Sequence, residues 1–297
     1  MPLIPSDLAL QVATALKEDI GAGDVTADLV PATQQVTGKV ITREAAVMAG
    51  QPWVTETFRQ LDPAVRLTWH ANDGDRITPD QTLFEIAGLA RPVLTGERTA
   101  LNFLQLLSAT ATAARRFTDV IEGTGCAILD TRKTIPGLRT AQKYAVACGG
   151  AQNHRIGLFD LVLIKENHIA AAGSLTAAIA AGRRVAGSRK VEVEVETLAE
   201  FDEALKAAPD IIMLDEFSLE DMKTAVELNR SKGRPVRLEA SGSVTLENVR
   251  KVAETGVDYI SVGGITKHVR AVDLSMRLAF AGQATCDFNT RWGCATP

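Results

Sequence analysis

Lys190-Val-Glu-Val-Glu-Val-Glu196 is the stretch that decides how this chain is read. Strict alternation of Val with Glu predicts a strand with two unlike faces. Strand-like and helix-like segments alternate on either side of it, and strands in such β/α arrays are covered by helices. The valines then meet the helices, and Glu192, Glu194 and Glu196 are expected to point into the interior of a barrel or crevice. An unpaired buried carboxylate costs several kcal/mol or takes up a proton. These acids therefore call for cationic partners or a ligand. An exposed edge strand is the alternative.

Working outward, six strand–helix units follow Cys126. Strands are expected over Ala127–Thr131, Leu161–Lys165, Val191–Glu196, Ile211–Asp215, Val236–Ser241 and Tyr259–Val262. Helical periodicity lies between them, over Leu138–Cys148, Leu175–Val185, Leu198–Ala207, Leu219–Asn229 and Leu246–Thr255, with a further helix over Arg270–Ala281. Such alternation predicts a parallel barrel or a related closed α/β array. Before residue 110 the style differs. Short strands at Val36–Thr42, Val65–Trp69 and Thr82–Ile86 are flanked by helices at Asp7–Lys17, capped by Ser6, and Gly96–Glu122. This predicts an α+β domain over 1–109, a β/α catalytic domain over 110–275, and a tail, 276–297, that packs back on the first domain.

Composition narrows the function. The 297 residues are 46% hydrophobic and 23% charged, with a net charge of −4, so there is no bulk basic surface for nucleic acid or anionic membrane. No apolar run reaches the ~18 residues that span a bilayer. The first lysine is Lys17, which does not fit the basic start of a signal peptide, and a cytoplasmic location is expected. Cys126, Cys148, Cys286 and Cys294 lack zinc-site spacing and read as reduced thiols.

Ligands of parallel β/α arrays bind at the carboxyl ends of the strands. Here those ends read Asp130-Thr-Arg-Lys133, Lys165-Glu-Asn-His168, Glu194 with Glu196, Asp215-Glu216, Ser241-Gly242-Ser243 and Gly263-Gly264-Ile265. Arg132, Lys133, Arg139, Lys143, His154, Arg155, Lys165 and His168 make a cationic set in an acidic protein. Arginine forks match carboxylates and phosphates, so a multiply anionic ligand is expected. Arg139 and Lys143 read equally well as a solvated helix face. The glycines let backbone N–H groups approach a phosphate. Together the rim suits a phosphorylated sugar flanked by acids that bind its hydroxyls.

These residues resemble the quinolinate phosphoribosyltransferase family. The likeness is carried by Glu18-Asp-Ile-Gly-Ala-Gly-Asp-Val-Thr26, Gly96-Glu-Arg-Thr-Ala-Leu-Asn102, Asp130-Thr-Arg-Lys-Thr-Ile-Pro-Gly-Leu-Arg139, Asn153-His-Arg155, Lys165-Glu-Asn-His-Ile169, Glu192-Val-Glu194, Leu214-Asp215, Glu239-Ala-Ser-Gly242 and Gly263-Gly264. It implies an incomplete parallel β/α barrel beside an amino-terminal α+β sandwich, in a homodimer whose site is shared across the interface. It implies phosphoribosyl transfer from phosphoribosyl pyrophosphate to quinolinate with decarboxylation. The product is nicotinate mononucleotide, for NAD biosynthesis. Arg132, His154 and Arg155, with Arg98 from the partner subunit, would hold the carboxylates. Lys133 and Lys165 would face the substrate anions. Glu194 and Asp215 would bind the ribose hydroxyls or the Mg2+ that arrives with phosphoribosyl pyrophosphate. Ser241, Gly242, Gly263 and Gly264 would cradle the 5′-phosphate. Ser243 stands where the family commonly has a second glycine. Two rivals remain: a Schiff-base aldolase built on Lys165, and a non-catalytic phosphosugar binder akin to relatives associated with molybdenum transport.

Overall fold

In the computed structural model, which describes residues 2–281, contacts divide the chain into two units. One comprises Ser6–Ser108 and the segment from Ala271; the other comprises Ala109–Arg270 with the first residues of the chain. Cys286, Cys294 and the rest of the tail beyond residue 281 lie outside the described residues.

The first unit contains α1 (Leu8–Ile20), β1 (Gln35–Thr42), β2 (Ala46–Val47), α2 (Gln51–Leu61), β3 (Arg66–Trp69), β4 (Arg76–Ile77), β5 (Thr82–Leu89) and the start of α3 (Ala90–Val120). Helix α1 begins after Asp7, not Ser6, and the Asp7 carboxylate accepts from Gln11 Nε2 at 3.0 Å instead of capping a backbone N–H. Asp24, in the Gly-Asp-Val-Thr signature, has a local structural use. Its carboxylate accepts from Thr26 Oγ1 (2.7 Å), Thr95 Oγ1 (2.7 Å) and the amides of Thr26 and Ala27, and these bonds hold its pKa down at about 2.

The helix expected over Arg270–Ala281 is instead strand β12 (Leu274–Phe280), which pairs antiparallel with β1 from Val36↔Phe280 to Thr42↔Leu274. Leu274, Met276, Leu278 and Phe280 alternate with Ser275, Arg277 and Ala279, a period of two that the local helical preference of Leu, Met, Arg and Ala disguises. The four-stranded sheet runs β12-β1-β5-β3. Gly38 permits the pairing, since a Cβ there would lie 2.4 Å from Leu278 Cδ2 and 2.8 Å from the Arg277 carbonyl oxygen.

The second unit holds β6 (Ala127–Leu129), α4 (Arg139–Cys148), β7 (Val162–Ile164), α5 (Glu166–Ala172), α6 (Leu175–Ala186), β8 (Val191–Val195), α7 (Leu198–Ala207), β9 (Ile211–Asp215), α8 (Leu219–Ser231), β10 (Arg237–Ser241), α9 (Val249–Ala253), β11 (Tyr259–Ser261) and α10 (Gly264–Lys267). Its six strands are parallel in the order β6-β11-β10-β9-β8-β7. Strands β6 and β7 are the two edges, so the array is open, not closed. After α4 the chain returns beside β6: the Gln152 amide donates to the Ile128 carbonyl (2.9 Å) and the Asp130 amide to the Gln152 carbonyl (3.1 Å). That return sets residues 153–156 against the end of β6.

The VEVEV stretch forms β8 as the alternation predicts. Val191, Val193 and Val195 are buried in the cluster that includes Ile179 of α6 and Phe201 and Ala204 of α7. Each buried valine contributes roughly 1.5–3 kcal/mol. Glu192 is fully buried on the other face, and Glu194 is nearly so. Glu196 lies past the strand and is exposed, which corrects its inward placement. Small oxygens cap the helices that follow β8 and β9, and the one that follows α5: Thr197 accepts from the Glu200 amide (3.2 Å), Ser218 from Asp221 (3.1 Å) and Ser174 from Ala177 (3.1 Å). Such caps stabilise by about 1 kcal/mol each.

Candidate active site

The strand ends bring three groups of side chains together in the second unit. The first lies between the end of β6 and the returning segment. Asp130, fully buried, accepts from Lys143 Nζ (2.5 Å) and the His154 amide (2.8 Å) with Oδ1, and from Asn153 Nδ2 (2.7 Å) with Oδ2. Burial raises the Asp130 carboxyl and lowers the Lys143 ammonium, each opposed by the charge of the other. Arg132 and Arg155 are half-buried nearby. The Arg132 Nε is buried without a hydrogen-bond partner. Burial, then the Arg132 charge, lowers the Arg155 guanidinium against the pull of Glu192 and Asp160. Two guanidinium groups held close in a dry setting invite an anion.

The second group centres on His154. Its Nδ1 accepts the Arg155 amide hydrogen at 2.8 Å, and its Nε2 lies 2.9 Å from Glu192 Oε2 and 3.4 Å from Glu239 Oε2. Both carboxylates are fully buried. Burial works against charge on the ring, and the charges of Glu192 and Glu239 favour it; with Nδ1 occupied by the Arg155 amide, the ring proton sits on Nε2. Burial and then the charge of Glu239 push Glu192 up to about 7. The 2.9 Å contact is close enough for a hydrogen bond, yet Nε2 and the carboxylate oxygens are misaligned for one.

Among the described residues these three side chains alone could gather three metal-ligand atoms, all within 4.8 Å. A metal-bound histidine donates with its other ring nitrogen, whereas Nδ1 here accepts. The cluster is built to hold protons between two acids and an imidazole.

The third group lines a cavity. A cavity of about 450 Å3 is lined by Lys133, Ser241, Gly242, Gly263 and Gly264, together with Arg116, Lys267 and His268. Lys133 reaches over Gly263, where a Cβ would meet its Cδ at 3.0 Å. Gly242 has φ +95°, and a Cβ there would lie 2.4 Å from Glu216 Cδ. Ser243 has φ +40° and donates from Oγ to Glu216 Oε1 at 2.9 Å, so the residue that departs from glycine is fastened in a left-handed turn.

At the ends of β7 and β8, Lys165 and Glu194 form an ion pair, and Asp215 ends the adjacent strand β9 half-buried. Arg98 is exposed on α3 in the first unit. His168 Nδ1 accepts the Lys165 amide at 3.0 Å and Arg237 pairs with Asp258 at 2.7 Å; both are structural.

The site also contains residues that the sequence reading passed over or left open. Arg116, Lys267 and His268 carried no spacing signal. Lys143 had none either: α4 reads Arg-Thr-Ala-Gln-Lys-Tyr-Ala-Val-Ala-Cys, with enough polar positions for a wet face, yet residues 141–146 are all buried.

Residues 110–277 match the family model of the quinolinate phosphoribosyl transferase C-terminal domain, and residues 24–108 match that of its N-terminal domain. A Mycobacterium leprae protein named nicotinate-nucleotide pyrophosphorylase (carboxylating) is 41% identical over 274 residues, covering 90% of this chain and 95% of that one. A Bacillus subtilis protein named as a probable enzyme of the same kind is 38% identical over 268 residues, covering 90% and 92%. The solved nicotinate-nucleotide pyrophosphorylase of Francisella tularensis superposes with a TM-score of 0.89 at 45% identity, covering 93% of this chain and 98% of that one. With both domains matched and the rim assembled from the quoted motifs, this chain belongs to the quinolinate phosphoribosyltransferase family.

Proposed function

We propose that this chain transfers the phosphoribosyl group of phosphoribosyl pyrophosphate to quinolinate, with loss of CO2, giving nicotinate mononucleotide and pyrophosphate for NAD biosynthesis. Family membership supports the reaction. The observation that carries it is the presence on one rim of a half-buried two-arginine end and a glycine-walled cavity, with Lys165, Glu194 and Asp215 at the remaining strand ends. A doubly carboxylated ring suits the first end and a sugar phosphate the second.

In this reading the pyridine nitrogen attacks C1 of the ribose as pyrophosphate leaves. Arg132 and Arg155 hold the ring carboxylates by charge-assisted bonds. Arg98, supplied by a partner subunit of a homodimer, completes that grip. His154, its nitrogens turned to the Arg155 amide and to Glu192, acts from within by holding Arg155. Glu194 and Asp215 bind the ribose hydroxyls and stabilise the cation-like sugar that forms at C1, as carboxylates do in glycoside hydrolysis. Lys165, engaged by Glu194, offers its ammonium to the departing charge. Lys133 sits with Ser241, Gly242, Gly263 and Gly264 around the 5′-phosphate. Loss of the 2-carboxylate needs the carboxylate held and dried beside the ring cation, and the buried arginine end provides both.

Mg2+ fits this arrangement. Glu194 and Asp215 are hard oxygen donors on neighbouring strands, and among the described residues they belong to no three-ligand group, which suits an ion carried mainly by substrate phosphates and water. When bound, Mg2+ would neutralise pyrophosphate charge. The aldolase alternative loses ground because Lys165 faces a carboxylate, the partner of an ammonium and not of the free amine a Schiff base needs.

Purified protein, quinolinate, phosphoribosyl pyrophosphate and Mg2+ should release CO2 in proportion to both substrates. CO2 release that ignores quinolinate, or equal turnover of nicotinate, would contradict the assignment.

A further inference from the structure

Resting on the function proposed above, the geometry points to Arg139 and Lys143 as positioning residues of the carboxylate-binding end: one turn apart on α4, they tie the main chain around Arg132 to the main chain around His154 and Arg155. Neither belongs to the solvated helix face that their sequence allowed. Lys143 is 3% exposed, and its Nζ donates to Asp130 Oδ1 (2.5 Å) and to the His154 carbonyl (3.0 Å). Its own carbonyl accepts from Asn153 Nδ2 at 2.9 Å. Arg139 donates from Nε to Thr134 Oγ1 (3.1 Å) and from Nη1 to the Ile156 carbonyl (3.1 Å), with a longer contact from Nη2 to the Arg132 carbonyl (3.5 Å).

Gln142, between them and fully buried, extends the brace. Its Oε1 accepts the Ile135 amide (2.8 Å), and its Nε2 donates to the Thr266 carbonyl (2.9 Å). The Thr266 hydroxyl in turn donates to the Lys133 carbonyl (2.8 Å).

Apart from those to Asp130 Oδ1 and Thr134 Oγ1, these bonds end on main-chain groups, most of them in the segments that carry Arg132, Lys133, His154 and Arg155. A fork that reaches two segments at once cannot be replaced by a single ammonium. The brace therefore sets the spacing of Arg132 and Arg155, and through it the fit to a ring with two adjacent carboxylates. An error of about 1 Å in such spacing is enough to be felt in binding.

The test is a comparison of Michaelis constants for the two substrates in Lys143→Met, Arg139→Lys and the double variant Asp130→Asn/Lys143→Met, each checked by urea unfolding. Positioning predicts a rise of about tenfold or more in the quinolinate KM, with the phosphoribosyl pyrophosphate KM within about twofold of wild type. A role in fold stability alone would lower the unfolding midpoint and leave both constants unmoved. Where Lys143→Met misfolds because it strands a buried carboxylate, the double variant, which removes both charges, and Arg139→Lys, which keeps the positive charge, decide. Folded variants with an unchanged quinolinate KM, or with both constants raised in parallel, would overturn the inference. A wild-type protein without quinolinate-dependent turnover would overturn the functional reading and this inference together.

Discussion

The two ends of the rim are built by opposite physical means. The arginine end sets half-buried Arg132 and Arg155 beside buried groups that hold one another: Asp130 with Lys143 and Asn153, and His154 with Glu192 and Glu239. The other end is an open cavity walled by glycines, with cations at its edge and backbone held at positive φ. Buried charge gives strong, direction-dependent recognition and suffers heavily when one partner is removed. Backbone recognition depends on close approach, so it fails by steric exclusion. In the function proposed above, the ring would be gripped where rigidity selects between similar acids, and the phosphate where a generic anion suffices.

The sharpest way to break the comparison is Arg132→Ala. Removing charge-assisted bonds worth about 1.5–3 kcal/mol each should lower kcat/KM for quinolinate by on the order of a hundredfold, while the constant for phosphoribosyl pyrophosphate stays near wild type. Steady-state kinetics with each substrate varied in turn would check this. Equal losses for both substrates would mean that the two ends are not separable.

Gly242→Ala should do the reverse at smaller scale. A Cβ there meets Glu216 Cδ at 2.4 Å and requires φ +95°, so the phosphoribosyl pyrophosphate KM should rise by about tenfold, with the quinolinate KM little changed. An unaltered constant would show that Glu216 swings aside freely and that the loop tolerates the strain.

The smallest effect is on stability. Burial and the neighbouring charge of Glu239 push the Glu192 carboxyl up to about 7, above the 4.5 of the unfolded chain. The native state therefore binds more protons throughout that window, and stability should fall as pH rises. The Glu192 contribution is complete below about 4.5 and is lost as pH passes about 7. Replacing the acid, Glu192→Gln, should flatten the decline between pH 5 and 7 by on the order of 1–2 kcal/mol. Urea midpoints across that range provide the measurement. Parallel curves for wild type and variant would place the extra proton elsewhere.

Much of this was legible in the chain. Alternation in Lys190–Glu196 placed β8 and its inward acids, because period two with polar and apolar partners admits few other readings. Strand ends rich in Arg, Lys, Asp and Gly marked the rim, because side chains there converge in any parallel β/α array. Leu274–Phe280 failed on the same criterion: its residues favour helix, and only pairing with β1 gives its alternation a use. Glu196 failed because one residue beyond the strand the alternation no longer governs direction.

By itself, then, the sequence determined the number and order of the β/α units, the side of the sheet on which charge gathers, and the family. Tertiary structure alone decided that Glu192 and Glu239, distant in the chain, close on His154, and that Lys143 is a buried brace and not a solvated lysine. The physical reason is that periodicity reports which way a side chain leaves its own element. Its partner, its dryness and hence its charge depend on what other elements deliver to the same few ångströms.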